Sequence, residues 1–134
     1  MVVYYLKLYV ATLVSFLVID ILWLGLIARR FYAKYLGYLM SAKPLWWVAV
    51  LFYLLFVAGV LTFVVLPGLH VDSVKRVLLF GAFFGLVTYG TYDLTNLALI
   101  KEWPWIVTAV DMCWGAILAA IVSYAGFMIG KFLS

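Results

Sequence analysis

Charge, cysteine and histidine are all scarce in this sequence. Of 134 residues, nine are Lys or Arg, five are Asp or Glu, one is Cys and one is His. A lone Cys113 inside an apolar run can form no internal disulfide and no Cys-based metal site. With His70 as the only histidine, zinc sites, bis-histidine haem and Cys/His nucleophilic chemistry are excluded. No Lys/Arg run with interleaved aromatics exists, so the basic pI of 9.2 does not signal nucleic-acid binding. What the chain has in abundance is apolar surface: 70% of residues are hydrophobic and 19% aromatic, with a mean hydropathy of +1.25. A typical soluble domain is roughly half apolar and about one quarter charged. A chain this short cannot bury such an excess in one core, so its solvent is lipid.

Four apolar runs cover residues 8–28, 44–66, 77–100 and 103–130, interrupted by Asp20, Asp93 and Asp111 in the first, third and fourth. Each reaches the roughly 20 residues that a helix needs to cross the hydrocarbon layer. The expected fold is all-α: a single integral membrane domain over 1–134, a four-helix bundle with spans at about 5–28, 44–66, 74–100 and 104–130. The first run is not read as a cleaved signal, because Lys7 makes a poor basic region and bulky Trp23 and Leu24 sit where cleavage would fall.

Between the first two spans, Tyr32, Tyr35, Leu36, Leu39 and Met40 fall on one helical face, with Arg30, Lys34 and Ser41 opposite. That pattern predicts an amphipathic helix over 30–42, lying in the headgroup plane. The second span should end at the Pro67-Gly68 turn, and Asp72 or Ser73 can cap the third. Lys101-Glu102 reads as a tight turn, and Trp103-Pro104-Trp105 as an interfacial aromatic belt. The face carrying residues 29–43 and 101–102 (side B) holds five basic residues, against four on the face carrying both termini and residues 67–76 (side A). By the positive-inside rule this margin of one favours side B as cytoplasmic with both termini outside, dual insertion being the alternative.

The three intramembrane aspartates are the informative exceptions. Asp20 is nine residues from Arg29, Asp93 eight from Lys101 and Asp111 nine from Glu102. At about 1.5 Å per residue, all three lie roughly 12–14 Å below side B, in one layer that Tyr53 joins from the second helix. On the third helix Gly85, Tyr89, Tyr92, Asp93 and Asn96 form a small-and-polar stripe facing the bundle. Gly81/Gly85, Gly115/Ala119 and Gly126/Gly130 permit close helix approach. Asp20 and Asp111 are each followed three residues later by tryptophan. Because their helices are antiparallel, Trp23 is expected on the side-B flank of the carboxylates and Trp114 on the side-A flank.

No Lys or Arg lies within the membrane layer to neutralise these acids. An ionised carboxylate buried alone is so costly that each must be protonated, hydrogen-bonded or paired with a bound cation. The candidate site is therefore Asp20, Asp93, Asp111, Asn96, Tyr92, Tyr53, Trp23 and Trp114, binding a proton or cation; the aromatic faces suit an organic cation. The expected activity is coupled transport of a small cationic solute, with a homo-oligomer, a dimer, supplying the pathway that four short helices are too small to enclose. An alternative is a lipid-handling or lipid-modifying protein using paired carboxylates as acid and base, although no nucleophile, metal set or cofactor fingerprint accompanies them. A third reading makes the aspartates interhelical glue, worth on the order of 1 kcal/mol per contact. No metal, cofactor or nucleic-acid partner is expected; membrane lipids are.

The string Thr91-Tyr92-Asp93-Leu94-Thr95-Asn96-Leu97-Ala98, followed by Lys101-x-Trp103-Pro104 and Asp111-x-x-Trp114-Gly115, resembles the signature of a bacterial membrane family known as domain of unknown function 2177. Asp20-x-x-Trp23-Leu24-Gly25, the Phe52-Tyr53 stretch and Gly59 through Pro67 extend the likeness over most of the chain. The resemblance implies a four-helix protein of the bacterial cytoplasmic membrane and no established activity. In size and helix count the chain is also similar to the small multidrug resistance transporters, an analogy of architecture alone, since the lone Glu of their first helix has no counterpart here.

Overall fold

A computed structural model describes residues 1–134: four long helices, no strand and short connections. The helices are α1 (Val2–Leu39), α2 (Trp46–Val71), α3 (Val74–Leu99) and α4 (Trp105–Leu133), each long and apolar enough to cross a membrane. The chain is an all-α membrane protein. Its exterior is apolar: Ile21, Leu26, Leu55 and Phe63 are each 64% exposed or more. In water each would forfeit about 1.5–3 kcal/mol of possible burial, so this surface is built for acyl chains.

The helices do not end where the apolar runs suggest. α1 continues through the charged Arg29-Arg30 pair as far as Leu39, passing through a π-helical turn at Leu24–Ala28 and closing in a 3-10 turn at Gly37–Leu39. An α-helical stretch, Arg29–Leu36, stands where the helix over 30–42 was expected and is joined to the first span, as its extension, through the π turn; no proline interrupts the join, and Gly25 is the only weak helix former near it. Along a straight helix Met40 would lie about 30 Å from Asp20. Both nevertheless line one cavity, so the chain bends between them, on the stretch that holds the π turn.

The end of the second span departs from expectation at Pro67. α2 runs past it to Val71, and Asp72 ends the helix in the left-handed conformation with φ 51°. A π turn at Leu61–Val65 widens the helix just before the proline, and Pro67 then occupies an opening position of the next α-helical turn, where its missing N–H costs little. Ser73 caps α3, its hydroxyl accepting from the Arg76 N–H at 3.1 Å. Asp72 instead pairs with Lys131 at 2.9 Å, tying the α2–α3 turn to the end of α4.

α3 and α4 pack most intimately, and the small residues explain why. A Cβ added at Gly85 would run into the main-chain oxygen of Gly115 and the Ala119 methyl, and one at Gly115 would strike the Tyr89 ring. The aliphatic core lies towards side A, where fully buried Phe16, Val57, Val60, Val65, Leu118 and Val122 meet from α1, α2 and α4. Towards side B the packing loosens: from Trp46 to Leu55, α2 buries no residue completely. That loosening leaves room for a cavity at the depth of the aspartates.

Candidate functional site

The cavity has a volume of about 600 Å³ and fifteen lining residues, twelve of them hydrophobic. Asp20 and Asp111 contribute carboxyls from α1 and α4; Tyr53 enters from α2 and Tyr92 from α3; Trp23 and Trp114 complete the part foreseen from sequence. Tyr32 and Leu36 from the helical stretch after the π turn, and Met40 just beyond it, line the cavity as well. These are three members of the apolar face read as lying among headgroups. The stripe is real, but its near neighbour is the bundle's own cavity.

The Tyr32 hydroxyl donates to Asp111 Oδ1 at 2.5 Å, and the Tyr38 hydroxyl donates to the Glu102 main-chain oxygen at 2.8 Å. The extension is thereby fastened both to the acid cluster and to the α3–α4 turn. Asp93 does not line the cavity. It lies behind the wall, fully buried, with the Asp111 carboxyl as its facing neighbour, and neither of its oxygens meets a donor. Two carboxyls can hydrogen-bond to each other only if one carries a proton. Asp20 and Asp111 are each 8% exposed.

The tryptophans depart from expectation. Trp23 and Trp114 do not flank the acids on opposite sides; their rings stack on one another, 4.3 Å between centroids and 9° from parallel. Side chains lean towards the N-terminus of their own helix, so on antiparallel helices Trp23 leans towards side A, Trp114 towards side B, and they meet in the layer between. The Trp114 indole N–H faces Asp20 and that of Trp23 faces the Tyr32 hydroxyl, yet neither closes a hydrogen bond. Trp103, expected in the interfacial belt, is buried: its Nε1 donates to Thr108 Oγ1 at 3.0 Å, which donates to the Asp93 main-chain oxygen at 3.1 Å. Trp105 is 69% exposed. Tyr92 lies edge-on to the Trp103 ring at 5.9 Å.

Asn96 is half-buried, makes no side-chain hydrogen bond and stands outside the cavity. Tyr32, Tyr89 and Thr88 line the cavity without having been singled out as site residues. Tyr89 carried a signal, four residues before Asp93 on the same face. Tyr32 carried one that a headgroup helix would share.

The chain matches, over residues 5–128, the family described as Predicted membrane protein (DUF2177). It belongs to that family. No curated protein and no solved structure shows significant similarity to it. For this member of DUF2177, therefore, chemistry has to be read from the site. The cavity holds no Lys, Arg, His or Cys, and no set of three acids or other ligands converges so as to hold a metal ion. It can offer negative charge, tyrosine hydroxyls and aromatic faces.

Proposed function

We propose that Asp20, Asp93 and Asp111 bind a proton or an organic cation in the membrane interior, and that the protein couples this occupancy to movement of a small cationic solute. The observation that carries the reading is Asp93: a fully buried carboxyl without a donor, facing a second carboxyl, in a chain whose only ion pair lies elsewhere. Leaving that pair without positive charge is among the costliest arrangements available to a membrane protein. The compensating charge has to come from outside the chain, and a proton or an organic cation supplies it without metal-ligand geometry. Two copies, meeting on their apolar flanks, would complete a path that one bundle is too small to enclose.

The test is flux in proteoliposomes carrying a pH gradient, with ethidium as the cationic probe and an internal pH dye as the second readout. Wild type is expected to exchange protons for ethidium, and Asp93→Asn and Asp111→Asn to lose at least about tenfold in rate, as expected when a buried charge partner worth over about 1.4 kcal/mol is removed. Equal rates in all three proteins, or no flux in any, would overturn the proposal. Acid/base modification of a lipid receives less support, because the cavity brings no nucleophile or phosphate-binding group to the carboxyls.

A further inference from the structure

The walls of the cavity say more about its ligand than the acids do. Leu24, Met40, Phe52 and Tyr92 line it and are also 40%, 58%, 45% and 53% exposed, so they form a rim that reaches the protein's surface. Leu24, Phe52 and Tyr92 lie on the spans α1, α2 and α3, and Met40 follows the end of α1. The mouth is therefore largely apolar, with one phenol, and three of its four residues lie on spans long and apolar enough to cross a membrane. At the inner end the character reverses. Asp20 and Asp111 lie there beside the stacked Trp23 and Trp114, with unpartnered Asp93 behind them.

Such a gradient, largely apolar at the rim and acidic at the floor, selects by chemistry. A hydrophilic cation gains nothing from the apolar part of the rim, an anion is repelled at the floor, and a neutral alcohol leaves the acids uncompensated. The volume of about 600 Å³ is that of a site for one compact ligand and too small for a whole two-chain lipid. We infer that the cavity takes an amphiphilic amine from the bilayer, its ammonium between Asp20 and Asp111 and its apolar body against Phe52 and Met40. Indole and phenol faces add cation–π attraction for the same head group. Tyr32, which donates to Asp111, is the protein group such an ammonium displaces.

This inference rests on the cation-binding reading and narrows its substrate class, so the experiment has to separate the two. The protein is held in nanodiscs of phosphatidylcholine and its thermal unfolding followed with dodecylamine, dodecanol or tetramethylammonium added; proton uptake is read in parallel. Dodecylamine is expected to raise the Tm at concentrations about tenfold lower than either other probe, because neither head nor tail alone fills the site. The shift should vanish in Asp111→Asn. It should also vanish in Ala49→Phe, where a ring added at this lining position of α2 fills the cavity while all three acids are kept, so that proton uptake is expected to persist; this variant keeps the test decisive should Asp111→Asn fold poorly. Equal shifts from dodecylamine and dodecanol would overturn the inference, as would tetramethylammonium matching dodecylamine or Ala49→Phe retaining the full shift. No shift from any probe, with proton uptake still dependent on Asp93 and Asp111, would remove the amphiphile and leave the proton site standing. Loss of both responses would remove both proposals.

Discussion

At the scale of single residues, Asp93 separates a binding site from structural glue. An asparagine there would offer the Asp111 carboxyl the N–H donor that the wild-type pair lacks. Asp93→Asn should therefore unfold at the same or a higher temperature than wild type, by up to about 1 kcal/mol, while losing proton and cation binding. If the aspartates act only as glue, the three Asp→Asn variants lose stability together. Tyr32→Phe removes a hydroxyl that a carboxyl accepts from, at 2.5 Å, and is expected to cost about 1–3 kcal/mol in a bilayer unfolding measurement. The three aspartates were legible in the sequence because charge is so rare in it. Tyr32 was not, because a Tyr-Leu-Met face at helical spacing looks the same whether it meets headgroups or folds back over its own bundle. The Trp23–Trp114 stack was legible as a pair of residues but not as a contact, since counting residues locates Cα atoms and ignores the lean of long side chains.

At the scale of the elements, glycines report which helix contacts are indispensable. Gly85→Ala sets a methyl against the Gly115 main-chain oxygen, which cannot step aside, and should cost about 1–3 kcal/mol by forcing α3 and α4 apart. Gly25→Ala, in the π turn where an added Cβ meets nothing within 4 Å, should leave stability within about 0.5 kcal/mol of wild type. A thermal unfolding comparison of the two in one lipid checks both. The small-residue spacing that brings α3 and α4 together could be read from the chain alone. The π turns could not. Each inserts a local irregularity without changing composition or hydropathy, yet one re-aims the α1 extension and the other carries α2 past Pro67.

At the scale of the whole molecule, four spans place both termini and the α2–α3 turn on one membrane face and the α1–α2 and α3–α4 connections on the other. In a Cys113→Ser background, cysteines at Ser73 and Ser134 should label from one side of sealed vesicles and one at Ser41 from the opposite side; labelling of all three from one side would contradict the arrangement. Helix number followed from apolar run length alone. The cavity did not, because it arises where α2 fails to pack closely over its first half, and that failure of packing leaves no mark in periodicity.

Under the proposed function, carboxyls reachable from lipid hold a proton or its substitute. Dicyclohexylcarbodiimide, a lipid-soluble reagent, tests it most directly. The acid's proton moves to a carbodiimide nitrogen as the carboxyl oxygen adds to the central carbon, and the adduct rearranges to a stable N-acylurea readable by peptide mass spectrometry. Modification is predicted at Asp111 or Asp20, diminished when dodecylamine is added first. Absence of the adduct from both aspartates in intact bilayers would contradict the account.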